Sequence, residues 1–329
     1  PRRGVERAVE VAGDRPHPRD GQLRRALEIV REAAPSEVVE RAKLINTLAL
    51  VVRRKGDVEG ACALYREGLA LLEERVGIRH EIAITTRANL AEALLERHEV
   101  AEAESLVRPA LAASQELLGE KHQATAHGWS ILAGVGFEKG DLALAEEAEG
   151  MAVAGFEAIN PDGHPHLVSA LNTYGMIAER RGDMPAAHER YARALAMARA
   201  IGLPANDRST SIAALHVARF LLGHDRASEA APLAREALDG FRALAPREES
   251  NAAAAHAVWA VALARTGRTV EAETELLAAF AELRGTLSFS RSREVAGELA
   301  RLYESTGRPE LAVSWKAKEG AGGSDARQR

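Results

Sequence analysis

Leu117-Leu-Gly-Glu-Lys-His122 is a short glycine-containing hinge between two long apolar-periodic stretches. An earlier copy reads Arg75-Val-Gly-Ile-Arg-His80, and a third, Asn160-Pro-Asp-Gly-His164, varies at its start but keeps the histidine. The three histidines are spaced 42 residues apart. A second set of marks has the same spacing: Gly56, His98, Gly140 and Gly182 each separate an apolar-periodic segment from an alanine-centred one. Two independent landmarks with one period identify an internal repeat, and a repeat constrains the fold before any single motif does.

Indexed on that turn residue, the series continues through Asp225, Gly267 and Gly307. Eight residues before the turn stand Leu48, Leu90, Leu132, Tyr174, Val217, Trp259 and Leu299, each followed by Ala or, once, by Gly175. Five residues after the turn comes Ala61, Ala103, Ala145, Ala187, Ala230, Ala272 or Ala312. A large apolar residue beside a very small one lets two helices cross closely, because a bulkier side chain would push their axes beyond about 8–10 Å. Glycine at the turn suits the left-handed conformation that ends a helix. Asp57, Asp141 and Asp183 follow the turn and are placed to cap the next helix. Each repeat therefore reads as an antiparallel helix pair that cannot bury its apolar faces alone, so neighbours must stack. The expectation is an all-α fold: a right-handed α-α superhelix, or solenoid, of about seven stacked helix-turn-helix units over residues 35–318. Residues 1–34 read as a degenerate N-terminal repeat or cap and 319–329 as a flexible tail, with 286–292 a polar link into the last repeat.

The composition narrows the function classes. Among 329 residues 28% are charged and only 4% aromatic, the net charge is −5, and Lys and Arg alternate with Asp and Glu without a basic block. That distribution argues against a nucleic-acid or membrane-surface partner. The single cysteine, Cys62, excludes an intramolecular disulfide and fits a reducing, cytoplasmic setting. The longest apolar run, Ala252 to Ala264, is broken by His256 and too short to span a bilayer. No signal-peptide pattern opens the chain, and a start at Pro1 fits a piece of a longer protein.

The small–large contacts, the Gly-x-x-His hinge and the first-helix step Asn89-Leu90-Ala91 resemble tetratricopeptide repeats, in the long 42-residue form of kinesin light chains. The closing segment from Leu302 to Trp315 also resembles the C-terminal repeat regions of some bacterial serine/threonine kinases, although no kinase motif occurs in the chain. The first resemblance implies a protein- or peptide-binding array whose first helices face a groove, with asparagines just before the Leu-Ala step contacting extended peptide. The matching positions are Asn46, Asn89 and Asn172, so the groove is expected between about residues 40 and 180. Helical spacing places Lys43 beside Asn46, Thr85 beside Asn89, and Ser169 beside Asn172, with His127, Trp129 and Ser130 in the third repeat. An amide offers both donor and acceptor and can pair with any peptide backbone, so these nine residues are the candidate partner-binding set. Replacing Asn89 and Asn172 with Ala is expected to weaken binding with little effect on melting temperature.

Chemistry finds less support. His80, His122 and His164 recur once per repeat, which fits a capping or packing role at the hinge. His164-Pro-His166 lacks the compact ligand set of a zinc site, so no metal or other cofactor is expected. The acidic residues fall at helical intervals and read as solvated faces, no Ser, His and Asp share a nucleophile-elbow context, and Gly134-Val-Gly136 lacks the strand a phosphate loop needs. A non-enzymatic scaffold is the leading expectation. The competing readings are a regulatory or sensor segment of a larger effector such as a bacterial protein kinase, and a homo-oligomer formed through the end repeats.

Overall fold

The computed structural model describes residues 38–75, 77, 79–285 and 289–320, together with 25, 28 and 29. The expected N-terminal cap over 1–34 otherwise lies outside the described residues, as does the expected tail beyond Gly320. The described residues form helices joined by short turns, and no strand occurs among them. Two compact units divide the chain, Pro1–Asp162 and Gly163–Arg329.

Among the described residues, the first unit holds three hairpins: α1 (Val38–Arg54) with α2 (Val58–Arg75), α3 (Glu81–Glu96) with α4 (Val100–Leu118), and α5 (Gln123–Lys139) with α6 (Leu142–Ile159). The second holds four: α7 (Pro165–Arg181) with α8 (Met184–Ala200), α9 (Arg208–Gly223) with α10 (Ala227–Ala243), α11 (Glu249–Arg265) with α12 (Thr269–Gly285), and α13 (Phe289–Ser305) with α14 (Pro309–Gly320). Within each unit the two helices of a hairpin pack together, the second helix packs on the next hairpin, and successive first helices touch. The link expected over 286–292 is shorter than that, because α13 already begins at Phe289.

The turn residues behave as their spacing predicts. Gly56, Gly140, Gly182, Gly267 and Gly307 all take positive φ, and so do the two non-glycine members, His98 at 59° and Asp225 at 57°. A side chain in that region is strained, so the hairpin geometry imposes it at these two positions. The alanines before and after the turn are all buried in the crossings they were assigned to, from Ala49 and Ala61 to Ala300 and Ala312. A Cβ added to Gly136 would lie 2.8 Å from the backbone nitrogen of Ala145, and one added to Gly175 would lie 2.8 Å from the Tyr191 ring. Small residues are therefore a steric requirement where the helices of a hairpin cross.

Helix starts are capped in two alternating ways. Asp57, Asp141 and Asp183 accept from the amides of Gly60, Leu144 and Ala186 at 2.8, 3.1 and 3.1 Å. The hinge histidines do the same for the next hairpin: Nδ1 of His80, His122 and His164 accepts from the amides of Ile82, Ala124 and His166, each at 3.2 Å. In α9 Asp207 takes that place and accepts from Ser209 and Thr210. The histidine period thus satisfies helix N-termini that would otherwise leave amides unpaired.

Candidate partner-binding site

The first helices carry the candidate groups, and their register sets which residues share a face. In the first unit, positions ten, nine and six before the turn are Asn46, Thr47 and Leu50 on α1, Ala88, Asn89 and Glu92 on α3, and Ser130, Ile131 and Gly134 on α5. These helices are tied side chain to side chain. Asn89 is only 6% exposed and its Nδ2 donates to Asn46 Oδ1 at 3.1 Å. Arg53 of α1 donates to Glu92 and Glu96 of α3 at 2.7 and 2.8 Å, and His127 Nε2 of α5 lies 3.4 Å from Glu92. Burial alone would raise the Glu92 carboxyl, but hydrogen bonds from His127 and Arg53 outweigh it and hold the group well below the usual carboxylate range. The result is a polar strip, half-open to solvent, whose side chains are tied to one another.

The other expected residues of this unit have local partners. Lys43 pairs with Glu40 at 2.8 Å, and the Thr85 hydroxyl donates to the Glu81 carbonyl at 3.0 Å. Ser130 donates to Glu149 Oε1 at 2.8 Å. Trp129, half-buried, keeps its indole nitrogen out of solvent without a hydrogen-bond partner. In the second unit Asn172 is 4% exposed, its Nδ2 donates to the Ser209 carbonyl at 2.8 Å, and Ser169 and Ser209 share a hydroxyl contact of 2.9 Å. The amides of Asn89 and Asn172 are therefore committed to neighbouring helices. Replacing either one with Ala removes an internal hydrogen bond worth about 1 kcal/mol. A modest fall in melting temperature therefore accompanies either substitution.

Acidic residues do not all lie on solvated faces. Glu149 of α6 is 0% exposed and Glu298 of α13 is 5% exposed. Burial pushes the Glu149 carboxyl up to about 8, against a small lowering by Ser130, and its Oε2 has no partner. Glu298 is instead held by Arg265 at 3.0 Å and by Arg301.

The second unit also has a feature the sequence reading did not anticipate, an open cavity of about 280 Å³. Its lining uses the same first-helix register: His216 and Arg219 on α9, Ala257, Val258 and Val261 on α11, with Glu179 of α7, Glu294 and Val295 of α13, and His188 and Tyr191 of α8. Rings build part of the wall. His188, Phe220 and His224 stack in series with centroids 3.8 and 4.0 Å apart, and Tyr191 stacks on His216 at 4.1 Å. Glu179 receives His216 at 3.0 Å, Arg219 at 3.2 Å and the Tyr191 hydroxyl at 3.3 Å. The hydrogen bond from His216, with Arg219 beside it, lowers the Glu179 carboxyl to about 2 despite partial burial. Burial and the neighbouring Glu179 push the Tyr191 hydroxyl up. Glu179 is thus saturated with donors. Among the described residues no group of three or more His, Cys, Asp or Glu could hold a metal ion, and no helix is long and apolar enough to cross a membrane.

Comparison with known proteins bears on the fold. A tetratricopeptide repeat family model matches residues 41–81 and 84–124. Among solved structures, a signal transduction ATPase with numerous domains (STAND) that carries a tetratricopeptide repeat sensor, from Pyrococcus horikoshii, superposes with a TM-score of 0.65 at 17% identity. That match covers 91% of this chain and 44% of the other, so the chain spans less than half of that protein. A Rap protein complexed with competence and sporulation factor matches with a TM-score of 0.56 at 16% identity, covering 85% of this chain and 76% of the other. The kinesin light chain TPR-like repeats of Podosopora anserina match with a TM-score of 0.50 at 20% identity, covering 63% and 98%. No curated protein matches the chain. At these identities the likeness is one of fold.

Proposed function

From the premise that this is a tetratricopeptide-repeat protein of the long, kinesin-light-chain-like kind, we propose that it is a non-catalytic scaffold holding a protein or extended peptide on the concave face of its first helices. One observation carries the reading: the strip formed by Asn46, Asn89, Arg53, Glu92 and His127 is polar, half-open and already rigid. Groups fixed in advance lose little conformational entropy when a partner arrives, so the ordering penalty falls on the ligand. Lys43, Thr85, Trp129 and Ser130 flank the strip in the first unit, and Ser169 and Asn172 occupy the matching register in the second. The buried amides of Asn89 and Asn172 then act by orienting their neighbours, whereas Asn46 and His127 touch the partner.

The test is affinity capture from the native host, followed by titration of the identified protein against variants. Asn46→Arg combined with His127→Glu places bulk and wrong charge on the strip and is expected to weaken binding more than tenfold. An outward-facing control such as Arg108→Glu should leave affinity unchanged. Equal affinity for wild type and the strip variant would overturn the assignment.

A second reading is favoured by the length of the match to the STAND protein: a sensor segment whose partner gates an effector domain elsewhere in a longer chain. Both readings require the same binding face. They differ in whether the open reading frame continues into a catalytic domain whose turnover changes when the strip is altered.

A further inference from the structure

The cavity's lining carries two arginines and two carboxylates, but their pairing leaves one carboxylate unanswered. Of the two lining arginines, Arg219 faces Glu179 at 3.2 Å, and Arg265 is held by Glu298 at 3.0 Å while donating to the Leu222 carbonyl at 3.0 Å. Of the two lining carboxylates, Glu179 is answered by Arg219, but Glu294 has no ion-pair partner among the described residues. His188 Nδ1 is buried without a hydrogen-bond partner. Burial, reinforced by Arg226 and His224, shifts this imidazole downward. Phe220 is covered on both faces by His188 and His224, so the exposed His224 ring ends the stack, beside a valine floor (Val258, Val261, Val295).

We propose that this cavity is the anchor pocket for an arginine side chain of a partner's extended segment, with Glu294 as its counter-charge. This deepens the scaffold reading and rests on it. A guanidinium is planar and can stack on the His224 ring while its fork matches the Glu294 carboxylate. Its aliphatic stem covers apolar wall while the head stays polar. A lysine ammonium is a more strongly hydrated point charge with no face to stack. An aromatic side chain would fill the floor but leave Glu294 without a cation.

The probe is the blocked pentapeptide acetyl-Ala-Ala-Arg-Ala-Ala-amide, titrated calorimetrically into the whole chain beside its citrulline and lysine counterparts. Citrulline keeps the shape and removes the charge. The arginine peptide is expected to bind saturably at one site, with citrulline at least tenfold weaker and lysine in between. Glu294→Gln, an exposed position, should weaken the arginine peptide at least tenfold and erase its advantage over citrulline. Val258→Phe, which fills the floor, should abolish binding. No binding at millimolar peptide, equal affinity for arginine and citrulline, or affinity untouched by Glu294→Gln would each overturn the proposal. A captured partner lost on Val258→Phe but retained on Glu294→Gln would also overturn it while leaving the scaffold reading intact. The Asn46→Arg, His127→Glu variant tests that reading separately.

Discussion

Replacing Glu149 with Gln is expected to stabilise the first unit at neutral pH and to flatten its pH dependence. The side chain is wholly buried, accepts only the Ser130 hydroxyl, and has its carboxyl raised from 4.5 to about 8 by burial. The folded state therefore binds one more proton than the unfolded state between those two values. For such a group, stability is greatest below pH 4.5 and falls by about 1.4 kcal/mol per pH unit until the folded group ionises near pH 8. At pH 7 the accumulated loss is roughly 3 kcal/mol, because the carboxyl must stay protonated in the fold while the unfolded chain would release the proton. Glutamine cannot titrate and still accepts from Ser130. Its second amide hydrogen adds an unmet donor, which subtracts about 1–3 kcal/mol at every pH. The offset between variant and wild type is thus open to that penalty, but the slope is not. Urea unfolding followed by Trp129 fluorescence in a Trp259→Phe, Trp315→Phe background, repeated at half-unit steps from pH 5 to pH 8, reads the slope directly. The variant's advantage should grow by about 1.4 kcal/mol per unit across that window. Parallel stability curves for the two proteins would refute the reasoning.

The turn and cap geometry give further expectations. His98→Gly should raise stability by about 0.5–1 kcal/mol, since it relieves a φ of 59° and gives up only an exposed contact with Glu138 at 3.2 Å; Asp225→Gly should gain less, because aspartate tolerates that region better. Denaturation midpoints of the two variants against wild type measure both. His122→Ala should cost about 1 kcal/mol by leaving the Ala124 amide without its acceptor, and His122→Asn should recover most of that loss, as seen in thermal melts. Ala91→Leu, at a fully buried crossing, should cost about 1–3 kcal/mol by forcing α3 and α4 apart. A melting temperature unchanged in that variant would contradict the close-crossing account.

Most of the fold was legible because hairpin geometry makes demands that few residue types can meet. Seven turn positions found by counting all adopt positive φ, including His98 and Asp225, whose identity alone would not have suggested it. The alanine positions were equally readable, since a close crossing excludes anything larger. The candidate site was only half legible. The spacing that puts Asn89 and Asn172 on a groove face is equally compatible with a bond to the neighbouring hairpin, because a side chain nine or ten residues before the turn can reach either. Glu149 went unnoticed among acids at helical intervals. Its register gave the signal: nine residues after the turn five of the other repeats carry Tyr65, Val107, Tyr191, Ala234 and Leu276, all buried, and only the last described repeat carries an exposed polar residue, Lys316. A carboxyl inside the stack at a position that is apolar or phenolic in the neighbouring repeats has to be buried too, whatever its charge suggests.

The same logic explains why the cavity escaped a search for asparagines. Position nine before the turn is Asn89 in one repeat, His216 in another and Val258 in a third, and each points onto the first-helix face of its own unit. Stacking fixes where these side chains emerge but sets no requirement on what they are, because neither close crossing nor turn conformation depends on them. Residue type at that position is constrained only where the side chain is buried against a neighbour, as at Asn89, Ile131 and Glu298. Across the whole first-helix face, the first unit carries a polar strip knitted by Asn46, Glu92 and His127, and the second carries rings and valines around Glu294. An array that varies only at such positions can present different chemistry to different stretches of one extended partner. The repeats lacking the amides are therefore as good a place to look for specificity as those that keep them.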